Sequence, residues 1–169
     1  MPGSGSLVSR IFDARNDRFG RAYGDFEVGD VYKHWPGKTV TQAEDHLFCL
    51  LTLAASPLHV DAHFAEKELE SGRNVVVGTF IYALLLGMSV PDTSGKALAA
   101  LGTEHLRHIV PLYHGDTLYG ETTVVGKRRS RSRPETGVVT VDTRGYNQHG
   151  IVVCEFRRSF LVPADPTAP

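Results

Sequence analysis

Residues 75–90 read VVVGTFIYALLLGMSV, a run of sixteen residues without a charged side chain, and this stretch decides the fold. Apolar periodicity alone does not separate a buried helix from a buried strand. However, a strand usually has about 3–10 residues, and Ala83, Gly87 and the leucines between them suit a helix that is buried on most sides. Pro91 marks the end of the run. We therefore predict one long central helix.

Four segments rich in β-branched and aromatic residues follow the central helix. Turns separate them, and the sequence NQHG at residues 147–150 is a good hairpin connection for the last two. The predicted strands are residues 98–110, 117–129, 137–146 and 151–162. With a first strand at residues 26–33, they predict an antiparallel sheet of five strands.

Two shorter helices are predicted before the central one. Thr41 and Glu44 form a capping box ahead of an apolar run, so a helix begins there and ends before Pro57. Asp61 is the predicted N-cap of the next helix, over residues 62–69.

These elements predict a single α+β domain in which the five-stranded antiparallel sheet wraps around the long central helix. We expect an N-terminal arm at residues 1–25, the domain at residues 26–162 and a C-terminal tail at residues 163–169. A chain of 169 residues is long enough for one core, because a chain of this size buries roughly 70% of its unfolded surface.

Composition and charge exclude several classes of function. The net charge is −1, so we expect neither a nucleic-acid nor a membrane partner. No apolar run approaches the roughly 20 residues of a bilayer span, and the start, MPGSGS, lacks the order of a signal peptide. Cys49 and Cys154 fit no metal or redox spacing, and we expect buried thiols, no metal site and a cytoplasmic location.

The segment SPLHVD at residues 56–61 holds the best candidate for chemistry, His59. A histidine that follows Pro57 is held by a restricted backbone, and its usual pKa lets it move protons near neutral pH. The alternative is a loop histidine that only makes local hydrogen bonds.

Several motifs resemble those of the MaoC-like enoyl-CoA hydratases. They are Pro57-Leu58-His59 with Asp61, the sequence DFEVGD at residues 25–30, the pattern PLYHGDTL at residues 111–118, and Gly78 at the opening of the apolar helix. The match extends over about residues 22–162. The resemblance implies a hot-dog fold, a homodimer formed by edge pairing of two sheets, and coenzyme A thioester substrates. It implies no cofactor apart from the coenzyme A of the substrate.

The resemblance also assigns roles to individual residues. His59 becomes the acid/base, and the Gly78 N–H at the helix start becomes the donor to the thioester oxygen, where the helix dipole favours negative charge. Ser56, Asp61 and Thr79 become substrate-binding residues. Without the resemblance, Gly78 could equally serve close packing alone.

One position departs from the family pattern. The family aspartate that works with the histidine is replaced by Ala54, whose methyl group cannot orient a water. His59 could act alone, or with the substrate's own carboxylate or that of Glu44, Asp45 or Asp61. Alternatively, the chain binds acyl-CoA without turning it over, or Ala54 is an engineered change. Other phrases of the sequence resemble the branch that acts on itaconyl- or mesaconyl-CoA, which also departs from aspartate at this position.

Residues 127–133 read KRRSRSR and form the strongest charge cluster. Strand alternation would place Arg129, Arg131 and Arg133 on one face, where they could bind the coenzyme A phosphates. A solvated hairpin is the alternative. No aromatic residue interleaves the run, which argues against nucleic acid.

Three functions are therefore predicted, in decreasing order of support from the sequence. A hydro-lyase that adds water to a 2-enoyl-CoA or a small branched dicarboxylyl-CoA comes first. A non-catalytic acyl-CoA-binding protein comes second. A hot-dog thioesterase comes last, because residues 75–90 carry no carboxylate.

Overall fold

The computed structural model describes residues 19–164, in which five strands and four α-helices form. Of the predicted arm and tail, residues 1–18 and 165–169 lie outside the described residues. The elements are β1 (Val31–Thr39), α1 (Gln42–Thr52), α2 (Pro57–Val60), α3 (Ala62–Glu68), α4 (Gly78–Ser89), β2 (Ala99–His108), β3 (Thr117–Arg129), β4 (Thr136–Tyr146) and β5 (Val152–Pro163). Short 3-10 helices occupy Tyr23–Asp25 and Ser94–Lys96. No helix in this part of the chain has the length and apolar character needed to cross a bilayer.

The five strands form one antiparallel sheet in the order β1-β3-β4-β5-β2, with β1 and β2 at its edges. Helix α4 lies across the inner face. Leu85 fits against Gly120 and Gly145, where an added Cβ would lie 3.1 Å and 2.5 Å from its methyl carbons. The absence of side chains at these two glycines therefore lets the helix approach the sheet. The predicted α+β hot-dog architecture is confirmed.

The core has two parts along the inner face of the sheet. Ile81 and Leu85 of α4 pack with Leu118, Val153 and Phe156 of the sheet. Each such buried side chain stabilises the fold by about 1.5–3 kcal/mol. The second part, toward the other end of the strands, is formed by Phe26, Val124, Val139, Val141, Phe160 and Val162.

The first strand lies further along the chain than predicted. Residues 26–30 form a turn, because Gly29 has a φ of +100° and the Asp30 carboxylate accepts a hydrogen bond from the Glu27 N–H. The strand then continues past the predicted end, through a register shift between His34 and Lys38.

The two shorter helices that the sequence predicts begin where their capping residues indicate. Thr41 and Glu44 form the predicted capping box of α1, and the Asp61 carboxylate caps α3 by accepting from the Phe64 N–H. The central helix begins at Gly78, three residues later than predicted, because residues 75–77 are extended and Val76 bonds to the Leu112 carbonyl.

His34 of β1 is buried. Strand alternation in β1 turns its side chain inward. There its Nδ1 lies 2.7 Å from the Asp92 carboxylate and its Nε2 lies 2.7 Å from the Thr122 hydroxyl. Both ring nitrogens therefore have partners, which makes burial of this histidine tolerable.

Candidate active site

The N-terminal end of α4 presents unused backbone donors. Phe80 N–H bonds back to the Val77 carbonyl, whereas the N–H groups of Gly78 and Thr79 have no acceptor within residues 19–164. Gly78 is half-buried and Thr79 is exposed. The first N–H groups of a helix carry the positive end of its dipole. This end of α4 can therefore receive an oxygen that gains negative charge.

Asp45 fixes the start of this helix through a hydrogen bond from the Val77 N–H. It is fully buried, its Oδ1 accepts from the Val77 N–H at 3.0 Å, and its Oδ2 accepts from His114 Nε2 at 2.9 Å. A carboxylate near a helix N-terminus is favourable. Asp45 thus holds the residue that precedes Gly78 in place.

His59 lies on the single-turn helix α2 and is half-buried. Its Nδ1 lies 2.8 Å from the Val75 carbonyl. Because a carbonyl only accepts, Nδ1 must carry the hydrogen, and in the neutral ring Nε2 is left with a lone pair. Nε2 has no partner in the described part of the chain. His59 is therefore oriented with its basic nitrogen available.

Asn74 ties α2 to the segment that leads into α4. This buried amide donates to the backbone carbonyls of Pro57, Leu58 and Asp61, at 3.0–3.2 Å. Nothing local in the sequence distinguishes Asn74 from other loop asparagines, so its role follows only from the tertiary structure. It holds the turn that carries His59.

His46 also contacts the His59 turn. Its Nε2 lies 3.1 Å from the His59 carbonyl, and its ring packs edge-on against that of His114.

Ala54 and Ser56 lie between α1 and α2 and are half-buried. Leu53, which precedes Ala54, adopts a left-handed conformation that ends α1. The Ser56 side chain makes no capping bond to α2.

None of the three candidate carboxylates contacts the His59 ring. Asp45 is occupied by His114 and Val77, as described above, and Asp61 caps α3. Glu44 pairs with Lys38, and bonds from Lys38 and Thr41 lower the pKa of Glu44 to about 2. These three carboxylates therefore make their hydrogen bonds elsewhere and not to His59.

His108, at the end of β2, lies against Gly78. A Cβ built on Gly78 would be 2.7 Å from both Nε2 and Cε1 of this imidazole. Its register partner is Cys154 of β5. No local motif marks His108 as a site residue, because only the tertiary fold brings it to the helix start.

The basic run lies at the other end of the sheet. β3 begins at Thr117, three residues after His114, and reaches Arg129 twelve residues later, which at about 3.3 Å per residue is a separation of tens of ångströms. The strand ends at Arg129, so the predicted alternation does not extend to Arg131 and Arg133, which lie in the following turn. Arg129 stacks on Tyr23. Within one chain, the structure does not bring these arginines to His59.

Strand β2 is unusually exposed for a sheet element. Every residue from Ala100 to His108 is exposed, and β2 pairs with β5 alone. Apolar side chains are among them: Leu101 is 52% and Leu106 39% exposed, and Ile109, just after the strand, is 42% exposed. This edge lies beside the α4 start, through the contact of His108 with Gly78.

The sequence profile of the mesaconyl-CoA hydratase family matches residues 6–168. Mesaconyl-CoA hydratase from Cereibacter sphaeroides is 34% identical over 149 residues, which are 88% of this chain and 43% of that protein. This chain therefore spans less than half the length of that curated relative.

Two solved structures are similar in fold. A putative MaoC domain protein dehydratase from Chloroflexus aurantiacus superposes with a TM-score of 0.80 and 33% identity, covering 89% of this chain and 42% of that one. Rv0216 from Mycobacterium tuberculosis, described as a double hot-dog fold, has a TM-score of 0.71 and 24% identity, covering 89% and 46%. The predicted resemblance is confirmed: the chain belongs to the mesaconyl-CoA hydratase family of MaoC-like hot-dog proteins.

Proposed function

We propose that this chain is a hydro-lyase that adds water to the double bond of a 2-enoyl-CoA, and in the reverse direction removes it. The proposal rests on the orientation of His59, whose Nδ1–H donates to the Val75 carbonyl. Val75 lies three residues before Gly78, whose N–H is free. A base and an oxyanion donor are thereby held by one short segment.

His59 and the Gly78 N–H supply the groups that hydration of a 2-enoyl-CoA requires. The thioester oxygen accepts a hydrogen bond from the Gly78 N–H, and His59 Nε2 takes a proton from water as its oxygen bonds to the β-carbon of the substrate. The electron pair of the double bond moves toward the thioester oxygen, where the dipole of α4 stabilises it. The His59 imidazolium then returns its proton to the α-carbon. Water is added across the double bond, and the enzyme is unchanged.

We propose a small branched dicarboxylyl-CoA as the substrate, with mesaconyl-CoA before itaconyl-CoA. The family profile and the Cereibacter relative carry the name of mesaconyl-CoA. Such a substrate has its own carboxylate, which could orient the water in place of the side chain that Ala54 lacks. Thr79, Ser56 and Asp61 remain proposed substrate contacts.

The test is hydration of crotonyl-, itaconyl- and mesaconyl-CoA, followed as loss of enoyl absorbance, by the wild-type protein and by His59→Ala. We expect turnover that is fastest with mesaconyl-CoA and falls about 10²–10⁴-fold in the variant. His63→Ala, on the exposed surface of α3, is the matched control. Unchanged turnover by His59→Ala would contradict the proposal.

A non-catalytic acyl-CoA-binding protein is the second candidate, and Ala54 is the observation that favours it. Ala54→Asp separates the two. If the wild-type protein shows no turnover and Ala54→Asp gains much, the chain is a hydratase that has lost its activity. If the wild-type protein is already active, its mechanism does not use position 54. The thioesterase has less support, because Gly78–Ser89 carries no carboxylate.

We propose that a second copy of the chain covers the exposed edge at β2 in a homodimer. The apolar side chains at this edge support it, as does the presence of two hot-dog units in the Rv0216 chain. Light scattering should give twice the monomer mass of 18.5 kDa. Leu101→Lys should shift the mass to the monomer, and Leu47→Lys, on α1, is the control.

The dimer also offers a route for the basic run to a second active site. Two β2 strands paired antiparallel place the start of one beside the end of the other. Ala99 lies in register with Leu161, Val138 and Arg128, at the sheet end that carries the basic turn. The proposed phosphate contacts Arg129, Arg131 and Arg133 would thus serve the partner's site.

We further propose a cytoplasmic location and no cofactor other than the coenzyme A of the substrate. Cys49 and Cys154 are both free and buried, which suits a reducing compartment.

A further inference from the structure

The imidazole of His108 occupies space that only a glycine at position 78 leaves open. A Cβ on Gly78 would lie 2.7 Å from Nε2, 2.7 Å from Cε1 and 3.0 Å from Cδ2 of this ring. Real Cβ atoms do not approach so closely, so the side chain of any other residue would displace the ring. His108 and the start of α4 are therefore in direct contact.

This contact lies at the first turn of α4, which carries the free helix donors. In an α-helix every Cα–Cβ bond tilts toward the N-terminus, and the unpaired N–H groups of the first turn point the same way. The ring touches the Cβ position of Gly78, so it lies on the side where the Gly78 N–H would meet a ligand oxygen.

The ring nitrogens of His108 are not used by the described chain. His34, His46, His59 and His114 each have at least one ring nitrogen at hydrogen-bond distance from a partner. His108 is exposed and has no such partner within residues 19–164. A polar ring at a helix start, with both nitrogens free, is suited to bind an incoming group.

We propose that His108 is a second donor to the thioester carbonyl oxygen, acting with the Gly78 N–H. The inference rests on the proposed hydratase function and adds a catalytic residue to it. The Nε2–H of the neutral ring donates to the carbonyl oxygen, and this bond strengthens as negative charge moves onto that oxygen in the transition state. No proton leaves His108, so the acid/base role stays with His59.

The test compares His108→Phe and His108→Gln with wild type. Phenylalanine keeps a ring against Gly78 and removes the donor, whereas the glutamine amide can still donate. Loss of one oxyanion donor typically lowers kcat by about 10²–10³-fold. We expect this loss in His108→Phe with little change in KM, and partial recovery in His108→Gln. His149→Gln, in the exposed β4–β5 turn, should behave as wild type.

A second measurement reports carbonyl polarisation without turnover. Butyryl-CoA labelled with ¹³C at the thioester carbon has no double bond to hydrate, and hydrogen bonds to its oxygen shift the carbonyl resonance downfield. The shift on binding should be smaller in His108→Phe than in wild type or His108→Gln.

The outcomes separate the two proposals. Full kcat and an unchanged carbonyl shift in His108→Phe would overturn the role of His108 while the hydratase stands. Absence of both turnover and acyl-CoA binding in wild type would overturn the hydratase, and this inference with it. Binding without turnover leaves the carbonyl shift to decide.

Discussion

The two ends of α4 differ in how far their polar groups are satisfied. At the C-terminal end, Arg158 is buried and donates to the hydroxyls of Ser89, Thr93 and Ser94 at 2.8–3.1 Å. Burial lowers the pKa of Arg158 to about 10, so it remains charged at neutral pH, where a cation near a helix C-terminus is favourable. At the N-terminal end, two N–H groups and the rings of His59 and His108 have free hydrogen-bonding capacity.

Stability and chemistry therefore depend on opposite ends of the central helix. Polar groups that hold the fold mostly find partners within the chain, because an unpaired buried group is costly. Among residues 19–164 the buried Nε of Arg158 is an exception, although both of its terminal nitrogens donate. Polar groups that serve a ligand are kept without partners at the accessible start of α4. The C-terminal end of α4 should therefore respond to mutation in stability, and the N-terminal end in activity.

Gly78→Ala should have the largest effect and should act on activity alone. The new methyl group meets the His108 ring and crowds the ligand side of the first turn, so kcat should fall about 10²–10³-fold. Thermal unfolding should show little loss of stability, because the displaced His108 ring is exposed and alanine is compatible with the first turn of a helix. A parallel loss of Tm would mean that this end also holds the fold.

Arg158→Ala should give the opposite result. Removing a buried side chain and its bonds to three hydroxyls should cost roughly 2–4 kcal/mol, measured by denaturant unfolding. The kcat per folded molecule should remain at the wild-type value. Arg157→Ala, a surface change on the same strand, should cost much less. A fall in kcat at full stability would show that Arg158 acts on the chemistry and not on the fold.

Asn74→Ala should give an intermediate and mixed effect. It removes three bonds that hold the α2 turn, so we expect a loss of about 1–3 kcal/mol in stability and a loss in kcat from misplacement of His59. Asn74→Asp is the matched variant: it keeps the shape but cannot donate, and should resemble alanine. Wild-type kcat in both would show that α2 keeps its position without Asn74.

Glu44→Gln should have the smallest effect, and one that depends on pH. The pKa of Glu44 in the folded chain, about 2, lies below its usual 4.5, so its ionised form stabilises α1 above pH 4.5 and this contribution is lost as the pH falls toward 2. The variant should be slightly less stable than wild type at pH 7, and the difference should vanish near pH 2. A difference independent of pH would contradict this assignment.

Local patterns predicted most of the fold. The uncharged run of α4 and the alternation in the strands predict these elements from neighbouring residues alone. The capping box of Thr41 and Glu44 is likewise a local signal. The start of β1 was misplaced because the turn at Gly29 looks like a bulge in a strand. The start of α4 was placed early because three valines are compatible with either conformation.

The candidate site was only partly accessible from the sequence. His59 and Gly78 lie in motifs, so they could be named as candidates. His108 comes to Gly78, and Asp45 to His114, across 30 and 69 positions of sequence. No spacing rule predicts such contacts, because they depend on how the helix lies on the sheet.

The packing of Leu85 between Gly120 and Gly145 fixes the position of Gly78 relative to the sheet, because both residues lie on α4. Gly78 and Leu85 are seven residues apart on one helix, which is close to two turns and about 10 Å along the axis. Both residues therefore face nearly the same direction. An insertion or deletion of one residue between them would turn Gly78 by about 100° relative to the sheet. Length variation in this family should accordingly be found in the loops, and not between these two positions.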